Sequence, residues 1–389
     1  MLFRDDDCVS FGATWQRFFD TARRGAIENG HVAGDRAPGC DVLLVNCCGQ
    51  PACLAGSYPT MTRASLPRIG VVATSSAIGQ IELQMGVEKL RTAGFSVRIH
   101  PVTARRHKFW AGTDSQRVEA LLEYAHDPAI DVIWCARGGY GVTRILRELD
   151  DRTRKNRPPR KKLLVGYSDV TALHVFAARR WGWSTLHAPM PAGESFVGLK
   201  DRTEWGPLLN LVSGRGLKSM PWGSKKLRFL DSAPRPRQNI FGPLMGGNLS
   251  LWAALAGTPD FPRAAGAILF FEDVSEGLYR IDRYLTQLEN AGAFEGVRGI
   301  ILGDFADCRD TVQKVLMDRG GKYKPLRPAL AQTSFLKMAF GELGTRHGFP
   351  VAIGLPVGHG PHYSPLPLHA KYRLKVDGNL QLMDWTWGS

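Results

Sequence analysis

From residue 68 the apolar positions alternate between short continuous runs and helix-spaced stripes. Ile69-Gly70-Val71-Val72-Ala73 predicts a strand, and Ile81, Met85, Val87 and Leu90 then mark a helical stretch. Phe95-Ser96-Val97-Arg98-Ile99 predicts a second short strand. From Asp114 onward, Val118, Leu121, Leu122 and Ala125 fall at i, i+3, i+4 and i+7, one face of a helix. Ile130 to Cys135 is a third strand and runs into Arg137-Gly138-Gly139-Tyr140-Gly141. A helix to Leu149, the run Leu163-Leu164-Val165-Gly166, a helix to Trp181 and a strand from Ser184 to His187 continue the alternation. Short apolar strands separated by helices predict a parallel sheet covered by helices on both faces. Ligands of such sheets bind beyond the carboxyl ends of the strands. Both the Arg137–Gly141 turn and the turn Gly166-Tyr167-Ser168-Asp169 fall at strand carboxyl ends.

This rhythm sets an α/β domain at 66–195. Residues 196–240 lose it, are rich in Gly, Pro, Lys and Arg, and read as a linker or crossing segment. A second region, 241–389, opens with Gly246-Gly247-Asn248 leading into a helix. It continues with the strand Ile268 to Glu272, a helix from Tyr279 to Asn290 and the run Gly299 to Gly303. Asp377-Gly378 between alternating residues signals a hairpin. The expectation is a smaller, β-rich α+β domain. Residues 1–65 are cysteine-rich and slightly acidic, with weak periodicity only near Trp15 to Ile27. They are expected to be a poorly structured extension, with Met61 as an alternative initiator.

Composition narrows the function classes. A chain of 389 residues with 44% hydrophobic and 22% charged content can bury a large core. No apolar stretch reaches the roughly 18 residues of a membrane span. The start, Met1-Leu2-Phe3-Arg4-Asp5-Asp6-Asp7, lacks the basic and apolar regions of a secretory signal, so a soluble cytoplasmic protein without a membrane partner is expected. Net charge is +14, and the sharpest basic cluster is Arg152 to Lys162. It carries no aromatic interleaving and no nucleic-acid motif, so it reads as a solvated loop and not as a nucleic-acid site. Cys8, Cys40, Cys47, Cys48 and Cys53 crowd the first part of a chain with 7 cysteines. An odd total argues against a disulfide framework, and these spacings do not suit a zinc site, so no metal is expected.

The candidate chemistry starts at Ser168, which ends an apolar strand and begins a helix. Such a turn lifts a hydroxyl out of the sheet and points helix N–H groups at the place where an oxyanion forms. The usual second glycine is missing: position 170 is Val. A serine hydroxyl needs a base. His359 lies between Gly358 and Gly360, after the apolar run Leu355-Pro356-Val357, and competes with nine other histidines of the 10, among them His362 and His369. His174, six residues beyond Ser168, projects away from it. Glu272 follows four apolar residues. A carboxylate there carries a desolvation cost that holding an imidazole would offset. Asp273 and Glu276 are its rivals. Serine, carboxylate and histidine follow in α/β-hydrolase order. The Arg137–Gly141 turn reads either as a phosphate cradle or as an oxyanion donor. The missing third glycine and the Ser168 turn on the next strand favour the donor. Arg280 and Arg283 share a helix face and either bind a substrate carboxylate or pair with Asp282 or Glu276.

These motifs in order resemble the LD-carboxypeptidase family of serine peptidases, which includes the microcin C self-immunity hydrolases. The resemblance covers about 68–380. It rests on Arg137-Gly-Gly-Tyr-Gly, Gly166-Tyr-Ser-Asp-Val-Thr-Ala-Leu, Gly246-Gly-Asn-Leu-Ser-Leu, Glu272-Asp-Val-Ser-Glu with Tyr279-Arg-Ile-Asp-Arg, Gly303-Asp-Phe-Ala-Asp-Cys and Leu355-Pro-Val-Gly-His-Gly. It implies an α/β domain facing a smaller β-rich domain with the site between them. It further implies Ser168 as nucleophile, Glu272 and His359 completing the triad, and an oxyanion hole from the N–H groups of Asp169 and Gly139. Arg137, Tyr140, Glu276 and Arg280 become candidate substrate contacts. A homodimer is implied, and no metal or organic cofactor. The implied reaction is cleavage of meso-diaminopimelate from terminal D-alanine in a cytoplasmic murein tetrapeptide during cell-wall recycling. The alternative is hydrolysis of a peptidyl-nucleotide antibiotic, for which Trp181, Trp183 or Trp205 would stack the base. A third reading, outside enzymes, is a non-catalytic ligand-binding protein.

Overall fold

The computed structural model describes residues 66–387 apart from 200–203, 216, 218–224, 310–314, 318–322, 326–331 and 362. The expected extension at 1–65, with its five cysteines and Met61, lies outside the described residues, as does His362.

The first half builds β1 (Ile69–Val72), α1 (Gln80–Thr92), β2 (Val97–Ile99), α2 (Asp114–His126), β3 (Val132–Cys135), α3 (Val142–Thr153), β4 (Leu163–Gly166), α4 (Thr171–Phe176) and β5 (Ser184–His187). These strands pair in parallel in the order β5-β4-β3-β1-β2. Every residue of β1, β3 and β4 is buried, because helices cover both faces; this is why the strands read as unbroken apolar runs. Thr113 starts α2 with a reciprocal capping box to Gln116.

One helix face differs from the expected one. In α1 the buried residues are Leu83, Gly86, Val87 and Leu90, whereas Ile81 and Met85 are 75% and 52% exposed. Leu83, Val87 and Leu90 share an i, i+4, i+7 face. Ile81 and Met85 sit two positions away, roughly 200° around the helix. A side chain at Gly86 would collide with the Pro191 carbonyl, so the helix is drawn in on that side. The basic loop also differs at its end: Lys162 is buried and donates to the carbonyls of Asp127 and Ile130, and burial lowers its pKa to about 8.

The second half adds α5 (Glu194–Val197), α6 (Gly206–Val212), β6 (Arg228–Phe229), β7 (Ile240–Asn248), α7 (Leu249–Ala254), β8 (Ile268–Val274), α8 (Leu278–Asn290), β9 (Gly299–Ala306), β10 (Val315–Met317), β11 (Tyr323–Pro325), α9 (Gln332–His347), β12 (Val351–Ile353), β13 (Leu366–Leu368), β14 (Lys371–Leu374) and β15 (Leu380–Leu382). The second sheet runs β15-β14-β7-β8-β9-β12-β6. Its centre, β7-β8-β9-β12, is parallel, and its edges are antiparallel. The Asp377-Gly378 hairpin joins β14 to β15, with Gly378 at φ +84. One strand of the second half crosses to the first sheet. The segment read as a linker supplies β6 to the second sheet, and β13, from the C-terminal region, pairs antiparallel with β5 of the first.

Three histidines pack into this core: His174 on α4 and His187 at the end of β5 are buried, and His369 after β13 is half-buried. Burial lowers all three: His174 well below 6.5, and His187 and His369 to about 4. The unfolded chain therefore takes up protons near pH 6.5 that the fold refuses, and stability is lost as pH falls from 6.5 toward 4. We expect the melting temperature to drop steeply through that window and His174→Leu to flatten the slope. An unchanged slope in thermal melts of that variant would contradict this account.

Candidate active site

Ser168 begins a single 3-10 turn between β4 and α4, and its φ is +62. A non-glycine residue in the left-handed region is strained, and such strain concentrates at functional turns. Local packing explains the sequence of the turn. A side chain at Gly166 would press on the Val170 side chain at 2.9 Å, so the glycine two positions before the serine makes room for the valine that replaces the usual second glycine. Gly138 leaves space for the serine from the other side: a Cβ there would lie 3.2 Å from Ser168 Oγ. Asp169 is buried and accepts from the Val142 N–H at 2.9 Å, which ties the turn to the glycine loop after β3. Burial raises its pKa.

Glu272 and His359 meet: Nδ1 of the histidine is 2.7 Å from Oε2 of a fully buried Glu272. A bulge positions the carboxylate. Phe271 pairs with Leu302 and Asp273 with Phe305, so Glu272 alone faces Gly303 and Asp304. Its rival Asp273 instead accepts from Asn248 Nδ2 at 3.0 Å and from the Ser250 and Val274 N–H groups at 2.8 Å. Burial and the neighbouring Glu272 charge push Asp273 up to about 6. The apolar run before His359 is not a strand, and His359 lies on a loop six residues beyond β12. Gly358, at φ +135, lets that loop pass Glu272, where a Cβ would approach Oε2 to 2.9 Å. Burial lowers the His359 pKa, but the charge and hydrogen bond of Glu272 outweigh it and the net shift is upward. For Glu272, burial acts upward, the histidine acts downward, and the net shift is downward. Both directions favour an ion pair.

The serine turn and this pair adjoin through Tyr167, whose ring centroid is 4.7 Å from that of His359. Tyr167 in turn meets the edge of His187 at 5.6 Å, and its hydroxyl is 3.3 Å from Ser195 Oγ. Sequence reasoning gave no role to His187, and Tyr167 and Asp304 stood in it only as members of motifs; what they touch at the site depends on long-range packing. Sequence reasoning also missed the link from the Asn248 N–H to Thr171 Oγ1 at 3.0 Å, which joins β7 to the helix after Ser168. Gly246-Gly247-Asn248 was read as leading into a helix, and Asn248 caps α7 by accepting from the Leu251 N–H.

Gly139 takes φ +104, where a side chain would collide with Ser76 Oγ. The same hydroxyl accepts from the Tyr140 N–H at 3.1 Å. Arg137 donates to the Ala77 carbonyl at 3.3 Å, and Tyr140 is exposed. Arg280 is an exposed residue that engages Tyr279 and, at 3.5 Å, Glu276. His174 is buried in α4. Of the three tryptophans considered for stacking a base, all are buried.

Known proteins share this arrangement of elements. The family model for the LD-carboxypeptidase N-terminal domain matches residues 69–188, and that for the LD-carboxypeptidase C-terminal domain matches 241–374. A Streptomyces coelicolor protein, whose carboxypeptidase name is itself provisional, is 35% identical over 82% of this chain and 93% of its own length. The murein tetrapeptide carboxypeptidase of Pseudomonas aeruginosa is 31% identical over 75% of this chain and 88% of its own. Among solved structures, muramoyltetrapeptide carboxypeptidase from Oxalobacter formigenes superposes with TM-score 0.60 at 27% identity, covering 80% of this chain and 98% of that one. The microcin C7 self-immunity protein MccF in complex with aspartyl sulfamoyl adenosine gives 0.63 at 22% identity over 82% and 96%, which shows the shared fold.

Proposed function

This chain belongs to the LD-carboxypeptidase family, and on that premise we propose that it releases the terminal D-alanine of a murein tetrapeptide by hydrolysing its amide to meso-diaminopimelate. The reading rests above all on the 2.7 Å Glu272–His359 pair beside a strained Ser168 turn. Murein tetrapeptide activity in a relative 31% identical supports the substrate.

In this mechanism His359 Nε2 takes the Ser168 proton as Oγ attacks the carbonyl carbon of the diaminopimelate residue. Glu272 holds the proton on Nδ1 and stabilises the imidazolium. The N–H groups of Asp169 and Gly139 take the oxyanion. Collapse breaks the C–N bond, His359 protonates the departing amine, and D-alanine leaves. Water, activated by the same imidazole, attacks the ester and frees the tripeptide and Ser168. Arg137, Tyr140, Glu276 and Arg280 are the groups we assign to the rest of the peptide. Net charge of +14 suits its carboxylates. The same reading places the reaction in the cytoplasm, on peptides recovered from the wall.

A pH profile of D-alanine release tests it. His359 acts as base only when neutral, and its pKa is raised from 6.5. We therefore expect kcat/KM to fall as pH drops through a value above 6.5, and Glu272→Gln to move that limb downward. A limb that the substitution leaves in place would remove His359 as the base.

A further inference from the structure

Beside the Ser168 turn stands a pair of large aromatic side chains, Phe109, to which the catalytic reading gives no role, and Tyr140, which it assigns only to the peptide at large. Phe109 is 54% exposed and Tyr140 46% exposed, and their ring centroids are 6.2 Å apart. Exposing two neighbouring rings has a solvation cost, and patches of this kind mark binding surfaces. The rings are held from below. Trp110 is buried under them, 4.2 Å from Phe109 and 6.1 Å from Tyr140, and the Arg144 guanidinium lies 4.6 Å over the Trp110 ring. Asp114 fixes Arg144 in turn.

Their backbones are tied to the site. The Ala77 N–H donates to the Phe109 carbonyl at 2.8 Å, and Ser76 holds both the Gly138 carbonyl and the Tyr140 N–H. Lys108, just before Phe109, sits at φ +56. A strained non-glycine backbone therefore adjoins an exposed apolar ring, and such strain concentrates at ligand clamps and functional turns.

We propose that Phe109 and Tyr140 form a subsite for the sugar ring of a muropeptide that still carries its N-acetylmuramoyl group. The proposal rests on the tetrapeptide reading of the Ser168 site. The C–H face of a pyranose packs on exposed aromatic rings, as other flat apolar faces do. The span fits. Three residues separate that sugar from the scissile amide, and extended they reach roughly 10 Å. Tyr140 is two residues from Gly138, at most about 7 Å by backbone reach. Gly138 lies against Ser168 itself.

The test uses the full chain with Ser168→Ala to prevent turnover. Calorimetry compares dissociation constants for N-acetylmuramoyl tetrapeptide and for the free tetrapeptide, with and without Phe109→Ala. We expect the sugar to tighten binding by about tenfold, the ratio to fall to about one in Phe109→Ala, and Phe109→Tyr to restore it. Equal affinities for the two peptides, or a sugar preference that survives Phe109→Ala, overturns the subsite. So does tighter, Phe109-dependent binding of an aminoacyl sulfamoyl adenosine, which would assign the shelf to a nucleobase. Release of D-alanine from the free tetrapeptide by wild type reports on the catalytic reading separately. A sugar preference that persists without that release would retain the subsite and retire the peptidase reading.

Discussion

Ser168→Ala should lower kcat/KM for D-alanine release by roughly 10³- to 10⁶-fold and leave the fold intact. In the proposed mechanism this hydroxyl forms the ester, and Gly138 and Gly166 beside it have no side chains to replace it. Residual rate over water would come from oxyanion donors and substrate binding alone. Structure should be kept because alanine and serine share the strain of φ +62. The Asp169 carboxylate, which ties the turn to the glycine loop, is untouched. A melting temperature within a few degrees of wild type, read by circular dichroism, confirms that comparison. Full activity in the variant would exclude an acyl-enzyme at this serine.

Glu272→Gln is the second large effect, with an expected loss of roughly 10³- to 10⁴-fold in kcat. The substitution keeps volume at a fully buried position but removes the charge that pairs with His359. An amide there can donate to Nδ1. That would leave the proton on Nε2, the nitrogen that must be free to accept from Ser168. Asp273 does not substitute. Its oxygens already serve Asn248, Ser250 and Val274, and it makes no equivalent approach to His359 among the described hydrogen bonds. Asp273 acts on His359 only through its charge, so Asp273→Asn should move the histidine's pH limb less than Glu272→Gln does; steady-state rates across pH separate the two.

Much of this architecture was legible because burial on both faces turns strands into continuous apolar runs. That holds for β1, β3, β4 and the start of β8. The pairing of Glu272 with His359 followed from motif order, but the choice of Glu272 over Asp273 is made by the β9 bulge, a feature of register that no local pattern encodes. The α1 face was misread because Ile81 and Met85 are apolar yet sit on the solvent side, while Gly86 marks the close approach. The two edge strands β6 and β13 were invisible for a different reason. β6 has two residues and β13 three, too short to show alternation, and each pairs far away along the chain. Tyr167 read only as part of a motif. Its contact with His359 depends on a loop nearly two hundred residues later.

The most direct measurement is mass spectrometry of L-Ala-γ-D-Glu-meso-diaminopimelyl-D-Ala after incubation with the purified protein. The account predicts two products, the tripeptide and free D-alanine, in equal amounts. An intact tetrapeptide from folded protein, or cleavage at any other bond, would contradict it.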